Sequence, residues 1–122
     1  RPALPVVAVV GDGSYLFANP LACHQTATAL GLPVVTVVKN NSAWDAVRKS
    51  TRGMYPEGAA VSAAVMPLSS LSPSPDYAGA VEACGGRGFR VADPGDLASV
   101  LATALEMSVA ERVQVVIDVD VR

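Results

Sequence analysis

Two stretches of the chain, Leu4 to Val10 and Val34 to Val38, are apolar and rich in β-branched residues, with no alternation of polar and apolar positions. A strand with one wet face alternates, whereas a strand buried on both faces reads as a continuous run, the habit of parallel sheets covered by helices. Parallel neighbours cannot be joined by a tight turn and need a crossover. Ala18 to Leu30 supplies one: it is rich in helix formers, Leu21, Ala22, Ala29 and Leu30, with Leu16 just before it, are compatible with a single face, and Gly31 follows as a stop. The opening part of the chain therefore reads as a β-α-β unit. With 122 residues and 51% hydrophobic content there is material for one domain with a real core and too little for two.

The remaining pattern extends that unit. Ala43 to Arg52 and Asp76 to Cys84 read as short helices, the second preceded by Pro75 and closed by Gly85-Gly86. Phe89 to Val91 is a short strand. Asp93-Pro94-Gly95-Asp96 opens a helix from Leu97 to Met107, whose Leu97, Val100, Leu101, Ala104 and Leu105 keep the helical period. Val113 to Val121 closes as a strand with Val115, Ile117, Val119 and Val121 on one face. The order predicts an α/β fold, an open and mostly parallel sheet with helices on both faces, spanning 1–122 as one incomplete domain. Residues 53–75 carry Pro, Ser and Gly in quantity, and a connection that long predicts a lid over a site. The chain supplies few helices for four such strands, and it begins at Arg1-Pro2, so it reads as part of a larger polypeptide or one piece of a two-piece protein.

Charge and composition remove several classes of function. A net charge of −2 gives no electrostatic footprint for nucleic acid or an anionic membrane. No apolar stretch reaches the roughly 18–20 residues that a membrane span needs. Cys23 and Cys84 lack metal-ligand spacing and read as buried reduced thiols, which points to the cytoplasm.

Ligands of open α/β sheets bind at the carboxyl ends of strands. The first apolar run delivers Gly11-Asp12-Gly13-Ser14 at such an end and the second delivers Asn40-Asn41. Glycines allow positive φ and close approach of a ligand, Asp12 is a hard oxygen donor suited to a divalent cation, and Ser14 adds a hydroxyl near a helix start. Either turn alone is ordinary, since asparagines and Gly-Asp-Gly are common in loops. Together, at neighbouring strand ends, they point to a metal-bound diphosphate.

The pair, Gly11-Asp12-Gly13, 26 residues, then Asn40-Asn41, resembles the signature of thiamine diphosphate-dependent enzymes. The resemblance covers nearly the whole chain and looks close to the acetolactate synthase, benzoylformate decarboxylase and pyruvate decarboxylase branch, with Asn40 to Arg48 aligning without a gap. It implies that Asp12, the Asn41 side chain and the Ala43 backbone carbonyl coordinate Mg2+, and that Gly11, Gly13, Ser14 and Trp44 belong to the thiamine diphosphate site. Asn40 is expected to shape the turn. Ala46 and Val47 fall where family members line the substrate pocket. The pyruvate decarboxylase type carries a glutamate at the position of Val47, so this chain looks more like the acetolactate synthase or benzoylformate decarboxylase type.

In such enzymes the cofactor acts as an electron sink for C–C cleavage or carboligation on a 2-oxoacid or related acyl donor. The activating glutamate comes from a pyrimidine-binding domain, in the same or a separate chain, commonly within a dimer or tetramer. None of Glu57, Glu82, Glu106 or Glu111 stands in a comparable place, so no catalytic residue is expected in this chain and alone it should be inactive. Of the other candidates, His24 is expected to be structural or on the surface, and Trp44 to wall the cofactor or fill the core. Arg48, Lys49 and Arg52 are expected to be solvated, and Asp118 and Asp120 to form the polar face of the last strand. Met54-Tyr55-Pro56 could touch substrate. Two other readings remain open: a non-catalytic binding or regulatory module that keeps the phosphate turn, and a flavodoxin-like nucleotide binder that makes no use of Asn41.

Overall fold

The computed structural model describes residues 4–121. Four strands, β1 (Val6–Gly11), β2 (Val34–Asn40), β3 (Arg87–Val91) and β4 (Val115–Asp120), form one sheet in the order β1-β2-β4-β3, and every pairing is parallel. The helices are α1 (Asp12–Phe17), α2 (Pro20–Leu30), α3 (Asp45–Met54), α4 (Ala59–Ser62), α5 (Tyr77–Ala83) and α6 (Leu97–Glu111).

Alternation along the central strands splits the core in two. Val35 and Val37 of β2 and Val115, Ile117 and Val119 of β4 face α6, which contributes Ala104 and the half-buried Leu97, Val100, Leu101 and Leu105. Val38 and Val116 point to the opposite face, against Tyr15 of α1 and Tyr77 and Val81 of α5. Both faces of the middle of the sheet are thus covered, which is why these strands read as unbroken apolar runs. Val121, expected to share the face of Val115, lies beyond the strand and is exposed.

The helix expected over residues 18–30 is α2, and a separate short helix, α1, precedes it over Asp12–Phe17. Asn19 is left-handed, at φ 55°, and Pro20 starts α2 where a helix needs no N–H, so the chain turns between them. The apolar face assigned to α2 is not its buried face: Leu21 and Leu30 are 56% and 63% exposed, and the buried residue is His24. Edge position explains this, because α2 follows β1, which pairs on one side only among the described residues. Cys23 and Cys84 are free, as expected, but neither is buried: Cys23 is exposed and Cys84 half-buried. Among the described residues no helix is long and apolar enough to cross a membrane.

Register decides where the two polar turns stand. Gly11 pairs with Lys39, and Lys39 with Val119 of β4, so β1 and β2 end at the same level. Asp12 and the asparagine pair therefore leave the sheet side by side.

Candidate functional site

Asp12 opens α1 and is only 3% exposed. Its Oδ1 accepts from Gly13 N at 2.9 Å and its Oδ2 from Ala43 N at 3.1 Å. Asn41 Oδ1 accepts from the same Ala43 N–H, also at 3.1 Å. One oxygen of each side chain thus lies within hydrogen-bond reach of a single nitrogen. A carboxylate this buried, held only by neutral backbone donors, carries charge that a cation would offset. The Ala43 carbonyl accepts from Asp45 N at 2.9 Å and keeps a lone pair. Two side-chain oxygens and a carbonyl are a hard donor set whose chemistry fits Mg2+.

Glycine has a different use here from the one expected. Gly11 has φ −80°, and the described glycines with positive φ are Gly31 and Gly85, so the turn needs no left-handed glycine. Gly13 is required for closeness: a Cβ on it would lie 2.6 Å from Cε3 of Trp44, whose ring rests on the Gly13 backbone. Trp44 therefore walls the site and does not fill the sheet core.

A cavity of about 290 Å3 opens beside these groups. Gly11, Asp12, Gly13, Ser14, Asn41, Ala43, Trp44, Ala46 and Val47, the complete set singled out in the sequence, all border it. Three residues that sequence reasoning passed over border it too: Lys39, Asp45 and Val121. Lys39 was visible in principle, as a cation directly before the asparagine pair. Asp45 is engaged by Lys49 at 2.7 Å, and the bond to that ammonium holds its carboxyl below the usual carboxylate range. No residue of 53–75 borders the cavity; part of that segment is α4, and residues 66–71 lie against the far side of the Ser42–Trp44 loop. Met54 and Tyr55 are exposed and border none of it.

Asn40 is buried and makes no approach to the cavity. Its Oδ1 accepts from Ser42 N at 3.0 Å and Ser42 Oγ at 3.3 Å, while its Nδ2 donates to Ser74 Oγ at 2.9 Å and Asp118 Oδ1 at 3.0 Å. Asp118 is consequently not simply the wet face of β4: burial pushes its carboxyl up, and the bond from Asn40 opposes that shift.

A larger cavity, about 570 Å3, lies across Ser14 beneath α2 and is bordered mainly by apolar groups. His24 reaches it, but both ring nitrogens are engaged, with Tyr15 OH at 2.5 Å and Gln114 Oε1 at 2.6 Å. Gln114 Nε2 donates to His24 O and Thr28 Oγ1, which leaves its Oε1 as acceptor. Nδ1 of His24 is therefore the donor to Gln114 Oε1. His24 is a structural pin between α1, α2 and Gln114, the residue just before β4. Of the basic residues, Arg48 donates from Nε to Ser69 Oγ at 3.0 Å, and Lys49 pairs with Asp45.

Residues 1–119 match the family described as thiamine pyrophosphate enzyme, C-terminal TPP binding domain. The chain belongs to that family. Among solved structures, the thiamine diphosphate-dependent 4-hydroxybenzoylformate decarboxylase of Rhodococcus jostii RHA1 is similar, with a TM-score of 0.74 and 24% identity over 93% of this chain. At that identity the likeness is one of fold. The chain spans 19% of the length of that decarboxylase. This C-terminal TPP-binding domain therefore has the open parallel sheet of its family, with the Asp12 and Asn41 turns at its carboxyl edge.

Proposed function

We propose that the chain holds the diphosphate end of thiamine diphosphate through Mg2+, as one part of an enzyme that breaks or forms a C–C bond at the carbonyl of a 2-oxoacid or related acyl donor. The observation that supports this reading is the meeting of Asp12 Oδ2 and Asn41 Oδ1 on the N–H of Ala43 at the edge of the cavity. In this reading Asp12, Asn41 and the Ala43 carbonyl hold the metal, and Gly11, Gly13, Ser14 and Trp44 face the diphosphate. Lys39 adds a positive charge on the same wall. Ala46 and Val47, both exposed, border the acyl donor.

The cofactor supplies the electron sink when bound. The chain binds and orients it and compensates its charge. Glu57, Glu82, Glu106 and Glu111 border none of the cavity, which supports an activating carboxylate from a pyrimidine-binding part of the enzyme, on the same or another chain. An assembled dimer or tetramer in the cytoplasm, of acetolactate synthase or benzoylformate decarboxylase type, completes the reading.

Titration calorimetry of the assembled enzyme with thiamine diphosphate and Mg2+ tests it. Asp12→Ala and Asn41→Ala should each weaken binding beyond the roughly 10–100-fold that loss of a supporting residue costs a metal site. Unchanged affinity in both variants would sink the reading. Turnover of pyruvate and of aromatic 2-oxoacids, with and without an aldehyde acceptor, then separates decarboxylation from carboligation.

A further inference from the structure

The loop from Asn41 to Trp44 is not a conformation the chain would keep unaided. Ser42 is left-handed, at φ 55°, a region that costs an L-residue free energy. Something must hold it there. Residues 66–71, outside the cavity, run antiparallel to the loop: Leu71 N donates to Ser42 O at 2.8 Å, and Trp44 N donates to Ser69 O at 3.0 Å. These two bonds flank the bridge between Ala43 and Ser70. In an antiparallel pair of this kind the bridged residues turn their own N–H and C=O away from the partner strand. Ala43 obeys this pattern, since its N–H goes to Asp12 and Asn41 and not to the strap. The strap therefore aims the Ala43 peptide groups at the cavity.

The strap is itself locked. Ser69 is fully buried; its Oγ donates to Met66 O at 2.8 Å and accepts from Arg48 Nε at 3.0 Å. Arg48 lies one turn beyond the loop on α3, and its N–H donates to Trp44 O at 3.0 Å. The chain of contacts closes on itself: loop, α3, Arg48, Ser69, strap, loop. Neither Arg48 nor residues 66–71 border the cavity.

We propose that Ser69 and Arg48 are positioning residues for the cofactor site, clamping the strap so that the Ala43 carbonyl and the Asn41 side chain are set for the metal before it binds. This rests on the reading of the site as a Mg2+-diphosphate site. Loss of either clamp residue acts only through the loop, so it should weaken the metal-diphosphate grip without removing any group that touches it.

The test uses the assembled enzyme and Mg2+ with inorganic pyrophosphate, followed by calorimetry, with thermal unfolding measured in parallel. Ser69→Ala and Arg48→Gln should each raise the Kd roughly tenfold, within the range seen for supporting partners of metal ligands. Because both act through one chain of bonds, the double variant should be no weaker than Ser69→Ala alone. Ile117→Val, in the core on the α6 face, should lower the melting temperature and leave the Kd within about twofold, which separates positioning from general loss of stability. The inference is overturned if the clamp variants bind within twofold of the parent, or if Ile117→Val weakens binding as much as they do. Should Ser69→Ala not fold, Arg48→Gln alone carries the decision. Failure of the unsubstituted enzyme to bind Mg2+ and pyrophosphate at all would instead strike the reading of the site.

Discussion

Gly13 is the position where a single methyl group would disturb the site most directly. Its Cβ would meet the Trp44 ring at 2.6 Å, so Gly13→Ala must push the indole outward or shift the turn that carries Asp12. A cost of about 1–3 kcal/mol in unfolding free energy is expected, with weaker cofactor binding, checked by urea denaturation beside calorimetry. Tyr15 makes a separate prediction about alkali. Burial, its largest cause, pushes its hydroxyl from 10.0 to about 12, so the unfolded chain loses this proton before the folded one does. Stability present below pH 10 is thus lost progressively as pH rises to about 12, and Tyr15→Phe should flatten that part of the stability curve, read by denaturant series at each pH. Asp12, Asn41 and Gly13 were legible because they stand in short motifs at strand ends. His24 was not, because what fixes its role is Gln114, ninety positions away.

Among the elements, the break between α1 and α2 and the strap at 66–71 carry the difference between expectation and structure. Gly-Asp-Gly-Ser reads as a turn, yet Asp12 starts a six-residue helix that Asn19-Pro20 ends, which sets Tyr15 against Tyr77 at a ring separation of 5.2 Å. The segment 53–75 read as irregular, and much of it is, but its Ser69 is among the most buried residues of the domain. Local composition cannot reveal this, since the burial comes from pairing with a loop more than twenty residues earlier. The central fastener is Asn40, whose side chain joins the loop at Ser42, the segment beyond the strap at Ser74 and β4 at Asp118. Removing a buried group with that many partners leaves several unsatisfied, and Asn40→Ala is expected to cost about 2–4 kcal/mol, with the Ser42 loop freed. Amide hydrogen exchange should show loss of protection at Ser42, Trp44 and Leu71 before the rest of the sheet; uniform protection would contradict the placement of Asn40 as the fastener.

At the scale of the whole molecule the sheet is closed over on its middle strands and open at β1. Val6, Val7 and Val9 are 61%, 46% and 63% exposed, on both faces of a strand that pairs only with β2 among the described residues. An uncharged apolar strand edge is a template for association. This chain by itself should form concentration-dependent assemblies in light scattering, and Val9→Lys should return it toward monomer with little change in unfolding midpoint. The sequence by itself determined the class of fold, the parallel sense of the strands and the two motifs of the site, because unbroken β-branched runs, crossover helices and short spacings are local properties. Only the tertiary structure decided the strand order, the use of Gly13 as a seat for Trp44, the structural role of His24 and the strap that aims Ala43. Each of these is a contact between residues distant in sequence, and which distant groups meet depends on how the whole chain packs.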